Sequence, residues 1–184
     1  MLRIIVPENE FFDEEKQEFI TIKEQTLVME HSLISISKWE AKWKKPYFSD
    51  KKDDKTSEEM LDYLRCMTVS PQNVNPLVYR AITQDNLDAI ASYIDDPMSA
   101  TTITDYRKPS GKKQIVTSEL IYYWMIANNI PTEYEKWHIN RLITLIRICS
   151  IKNDPNPKKM SRGAIARQNR ALNAARRAKY GTHG

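Results

Sequence analysis

Two hydrophobic periodicities divide the chain. Between residues 2 and 29 the apolar positions come in short, β-branched runs. "LRIIV" (2–6) reads as a strand and Pro7 to Glu10 as a turn. "EFITI" (18–22) and "QTLVM" (25–29), parted only by Lys23 and Glu24, read as a hairpin or small meander. From Leu33 the spacing changes to three and four residues. Leu33, Ile36, Trp39 (or Glu40) and Trp43 fall on one helical face, with Ser32 as cap and Pro46 as stop. Thr56 and Glu59 have capping-box spacing before a helix that places Met60, Leu61, Leu64 and Met67 together. "TVSPQNVNP" reads as a loop. Thr83 caps a helix with Leu87, Ile90 and Ile94 in register, ended by Pro97.

Beyond residue 100, "TTITDYRKPSGKKQIVT" predicts a second hairpin with "RKPSGKK" as its turn and "QIVT" as its return strand. From Leu120 to Ile126 every residue is apolar or aromatic, so this helix is expected to be covered on several sides as the core helix. Thr132 and Glu135 repeat the capping-box spacing, which predicts a long helix carrying Trp137, Leu142, Leu145, Ile146 and Cys149 on its apolar face. "NDPNPKK" then breaks the pattern as a linker. The fold class is therefore α+β and mainly helical: a small N-terminal β-hairpin or meander, a helical bundle, and a C-terminal basic helix. Residues 1–153 form the globular domain, 154–160 the linker and 161–184 the basic amphipathic helix.

That last segment is chemically unlike the rest. "RGAIARQNRALNAARRAKYG" (162–181) contains five arginines, one lysine and no acid. Residues 155–184 hold eight bases and no acid. All 24 acids therefore lie in residues 1–154 against the remaining 20 bases, a local charge of −4 under a whole-chain charge of +4. At about 100° per residue Ile165 and Leu172 align between alanines, while Arg162, Arg170 and Arg177 gather on the other side. With two large apolar side chains in about four turns, such a helix is marginal alone and orders mainly on binding. Ile165, Leu172, Arg162, Arg170 and Arg177 are the candidate partner-binding residues. Nucleic acid is a weaker reading, as is a solvated tail with no specific role: Tyr180 is the one aromatic of the segment, and no helix-turn-helix or zinc-finger spacing precedes it.

Composition excludes other classes. With 184 residues, 41% hydrophobic and 28% charged, the chain suits one compact domain with an appendage. No apolar run approaches a membrane span or a signal peptide, so a soluble, intracellular chain is expected. Only four glycines occur, none before Gly111, which leaves no material for phosphate-cradling loops. His31, His138 and His183 lie in no metal-ligand spacing, and His138 reads as a packing or surface histidine. A nucleophile pair of His138 and Cys149 would be about 16 Å apart on one helix, too far for a hydrogen bond. Cys66 and Cys149 read as small buried hydrophobes. The acid pairs Asp53/Asp54 and Asp95/Asp96 are explained by turn chemistry, and Tyr122, Tyr123 and Trp124 by core packing more readily than by a ligand pocket. No catalytic residue, cofactor or metal is expected.

The stretches "EHSLISISKWEAKW", "SELIYYWMIANNIPTEYEKWHINRLITLIRICSIKN" and "KKMSRGAIARQNRALNAARRAKYGTHG" resemble a tail assembly chaperone of long-tailed bacteriophages, over most of the chain. The resemblance implies a non-enzymatic, largely helical factor in the cytoplasm of the infected host. Such a factor binds the tape-measure protein and keeps it soluble until tail-tube subunits polymerise around it. A homo-oligomer is compatible with it. Holding a long apolar-striped helix calls for exposed apolar grooves and tolerant contacts, which the seven methionines could supply, though they serve equally as core filler; Met60, Met67, Met98 and Met160 are the ones outside the central helices. The β-rich beginning departs from the simplest chaperone picture. It leaves a virion structural protein of the tail or head-completion region as the alternative, and a small nucleic-acid-binding protein as the third.

Overall fold

The computed structural model describes residues 1–14, 17–49, 55–102, 114–153 and 162–181. Strands β1 (Leu2–Val6), β2 (Asn9–Asp13), β3 (Glu18–Ile22) and β4 (Gln25–Met29) open the chain. β1 pairs antiparallel with β4, from Leu2 opposite Met29 to Val6 opposite Gln25, and β2 pairs with β3. The expected hairpin of β3 with β4 is not formed. Lys23 and Glu24 lack the positive-φ residues of a two-residue hairpin turn. The β1–β4 pairing instead puts Ile4, Val6, Leu27 and Met29 together on a buried face. Of the expected turn at Pro7 to Glu10, only Pro7 and Glu8 connect strands; Asn9 and Glu10 already belong to β2.

The helices are α1 (Leu33–Trp43), α2 (Ser57–Met67), α3 (Pro76–Arg80), α4 (Gln84–Asp95), α5 (Ser118–Ala127), α6 (Ile139–Lys152) and α7 (Arg162–Tyr180). Three starts follow local chemistry. Ser32 Oγ accepts from the Ser35 N–H, Thr56 and Glu59 close a full capping box, and Thr83 accepts from the Asn86 N–H. α1 stops at Lys44, whose φ of 55° is left-handed, two residues ahead of Pro46. "TVSPQNVNP" is more than a loop: Thr68–Ser70 forms β5, which pairs with β4, and Asn75 caps α3 with Pro76 in its first turn. β5 has no hydrophobic alternation, because what calls it into being is the open edge of β4.

The capping box expected at Thr132 and Glu135 does not form. Thr132–Lys136 is a 3-10 turn, and α6 begins six residues later than that box requires, at Ile139. Trp137 stays extended between the Tyr134 ring, stacked at 4.2 Å, and the Arg141 guanidinium, 4.0 Å from its ring centre. Gln114 to Thr117 carry no strand. The "RKPSGKK" turn, the "NDPNPKK" linker after Asn153, and Asp53 and Asp54 lie outside the described residues.

The core is centred on α1. Leu33, Ile36 and Trp39 are fully buried, and α1 packs on α2, α5 and the 3-10 turn while β1 packs on α4. Tyr63, Leu64 and Met67 of α2, Ile121 and Met125 of α5, and Ile139, Leu142 and Ile146 of α6 complete it. The expectation that α5 is covered on several sides is corrected. It buries only the face of Ser118, Ile121 and Met125, and leaves Tyr123 63% and Ile126 72% exposed. Met60 is likewise exposed, and Tyr63 fills the place it was expected to hold in the core. Hydrophobicity says that a residue leaves water at low cost, whereas the number of neighbouring elements decides whether it does.

Candidate partner-binding surfaces

α7 is 19 residues long, about five turns, and Gly181 at φ 63° follows its end. Each side chain described on it is exposed, including Ile165 at 43%, Leu172 at 47%, Arg170 and Arg177. Arg162 is its first residue. Ile165 and Leu172 stand seven residues apart, so the helix brings them to one line about 10 Å long. The thin stripe expected from the sequence is therefore present and uncovered, with cations around it and no acid in the helix to neutralise them.

A second surface lies between α5 and α6. Trp124 and Val116 form one wall of a trough of about 510 Å3, and Ile143, Ile146 and Ile151 form the other, with Phe48 and the single charge of Arg147 completing the lining. Trp124 is only partly buried and Tyr123, next to it around α5, is open to solvent. The reading as core is thus corrected for Tyr123, while Tyr122 and Trp124 are partly buried against the core. The Tyr122 hydroxyl donates to Glu135 at 2.9 Å, and burial together with that carboxylate keeps it protonated.

The trough owes its geometry to a buried acid. Glu40 Oε1 accepts from the Tyr47 N–H at 2.7 Å, and Oε2 accepts from the Ser118 N–H at 2.7 Å. Thr117 makes no capping bond of its own, so Glu40 satisfies an orphan donor of α5 from another helix and sets where α5 starts. The positioning of α6 is also remote. His138 Nδ1 accepts from the Asn140 N–H, so Nε2 carries the proton and donates to the Tyr93 carbonyl at 3.0 Å. The His31 carbonyl accepts from the Ile139 N–H at 2.7 Å. His138 is therefore the buried cap of α6, one of the two readings the sequence allowed.

His31, which the pattern did not single out, sits beside it. Its Nδ1 lies 2.5 Å from the Tyr63 hydroxyl, and its ring meets those of His138, Tyr47 and Tyr63 at 5.1 to 5.8 Å. Burial, and secondarily His138, lowers its pKa from 6.5 to about 3. Every buried side-chain polar atom among the described residues has a partner, so this cluster clamps α1 and α2 to α6.

Cys66 and Cys149 are free and half-buried. Burial and the nearby Asp62 push the Cys66 thiol up, away from the nucleophilic thiolate. Asp96 accepts from the Met98 N–H at 2.6 Å, an ordinary turn bond. Among the described residues no group of three or more His, Cys, Asp or Glu is placed to hold a metal ion, and no helix is long and apolar enough to cross a membrane. Of the methionines read as adaptable contacts or core filler, Met67 is fully buried, Met60 is exposed, and Met160 lies outside the described residues.

No family model, no curated protein and no solved structure matches this chain.

Proposed function

We propose that this chain is a non-catalytic, partner-binding protein: a mainly helical body that offers an exposed basic helix to another protein. Within that class the reading is a tail assembly chaperone of a long-tailed bacteriophage, acting in the cytoplasm of the infected host. It binds the tape-measure protein and holds it until tail-tube subunits polymerise around it. The observation that carries the proposal is α7, whose apolar Ile165 and Leu172 are exposed together with Arg167, Arg170, Arg176 and Arg177 on one acid-free helix. A stripe of this kind is stabilised when a partner covers it, and the surrounding cations select an acidic partner surface. The sequence resemblance supplies the biological setting.

The test is capture from infected cells. The full chain, a chain ending at Asn153, and the double variant Ile165→Ala with Leu172→Ala are used as bait across a salt series. Loss of tape-measure capture in both altered forms, and absence of the protein from finished virions, support the chaperone. Retention in virions points to a structural component instead. DNA binding that falls steeply with salt and ignores the double substitution points to nucleic acid as the ligand.

A further inference from the structure

We infer that the trough between α5 and α6 is a second docking seat, shaped for an amphipathic helix whose apolar ridge is bordered by carboxylates. The inference rests on the partner-binding reading and names the chemistry of the partner.

The walls determine the kind of ligand. Trp124 belongs to α5, and Ile143, Ile146 and Ile151 to α6. Inside a helix the backbone donors and acceptors are already paired, so α5 and α6 offer no edge on which an added strand could form its ladder. Recognition must pass through side chains. Ile143, Ile146 and Ile151 recur at intervals of three and five along α6, facing Trp124. The result is an apolar furrow of the type that accepts the i, i+3, i+4 ridge of another helix. A small polar ligand would need convergent polar groups, and the lining supplies only Ser150 and Arg147.

Charge determines which helix. Among the described residues Arg147 is the one charged residue of the lining, and it is exposed with no carboxylate within ion-pairing distance. Nine residues, 153 to 161, separate the end of α6 from the start of α7, a tether that reaches at most about 30 Å. The six cations of α7 are thus tethered to the end of the helix that forms one wall of the trough. α7 itself is a poor occupant, since it would bring arginines against Arg147 with no acid to separate them. An acidic helix satisfies Arg147 in the trough and leaves carboxylates for the cations tethered to the same wall.

The probe is a peptide of about three heptads with Leu at a and d and Glu at e and g, beside a counterpart with Lys replacing Glu. Binding of each to the full chain is read by fluorescence anisotropy. The Glu peptide should bind at least about tenfold more tightly than the Lys peptide. Arg147→Glu should reduce or reverse that preference, and Ile151→Asp should weaken both peptides about tenfold, with melting unchanged. Should Arg147→Glu not fold, Ile151→Asp and Ser150→Glu at the exposed rim carry the same comparison. The inference is overturned if the folded full chain does not bind the Glu peptide, or if affinity is indifferent to the trough substitutions. It is equally overturned if binding disappears only on replacing Ile165 and Leu172, for then the peptide sits on α7. Capture of the tape-measure protein without peptide binding sinks the trough and leaves the chaperone reading standing; peptide binding without that capture does the reverse.

Discussion

His31 is the residue through which acidity reaches the fold. Its ring titrates near 6.5 when solvated and near 3 in the folded chain, so between those values the unfolded chain takes up a proton that the native one refuses. Stability is complete above pH 6.5 and falls as pH drops toward 3, by up to about 1.4 kcal/mol per unit. Denaturant midpoints measured from pH 7.5 to 4 should fall more steeply for the native sequence than for His31→Gln. Two tryptophans give a complementary contrast. Trp39 is fully buried with its Nε1 donating to the Glu59 carbonyl at 2.8 Å, so Trp39→Ala should cost about 3–5 kcal/mol. Trp124 borders open space, and Trp124→Ala should cost only about 1–3 kcal/mol. Equal losses at the two positions in a denaturation series would contradict the exposed trough. Neither histidine could be placed from the sequence, because a lone histidine has no periodicity and its environment comes from Tyr63, 32 positions away.

At the scale of the element, Glu40 and α7 are the informative cases. Glu40→Ala leaves the Ser118 and Tyr47 N–H groups without their acceptor and should cost about 3 kcal/mol, with Glu40→Gln recovering part of it. The hint lay in an acid sharing a stripe with Ile36 and Trp43, but the partners it serves are on elements the stripe does not describe. For α7 the dipole argument is local: Arg162 opposes the positive N-terminus, while Arg176, Arg177 and Lys179 suit the C-terminus. An isolated 162–181 peptide should be only partly helical in water. Arg162→Glu should raise its helicity, and so should Gly163→Ala, since nothing lies within 4 Å of a Cβ there. Circular dichroism reads both, and no gain in either would mean that helicity there is set by something other than propensity and dipole.

At the scale of the whole molecule, ending the chain at Asn153 should leave the melting temperature within about 2 °C, because the side chains described on α7 are all exposed. Chelator and mild reductant should leave it equally unmoved, in keeping with free cysteines. The sequence by itself determined what short-range chemistry can encode. Strand and helix periods, the caps at Ser32, Thr56 and Thr83, the mainly helical α+β class and the one-signed helix at the end all depend on residues within a few positions of one another. Tertiary structure alone decided the rest. β4 chose β1 over its neighbour β3 because that register buries four apolar side chains on one face. Thr68–Ser70 became a strand because β4 left an edge open. α5 kept Tyr123 and Ile126 in water because the elements packed on it, chiefly α1 and α6, cover its Ser118, Ile121 and Met125 face, and the trough beside Trp124 lies between α5 and α6. Each of these outcomes is a competition between elements far apart in the chain for the same apolar surface, and that competition has no local signature.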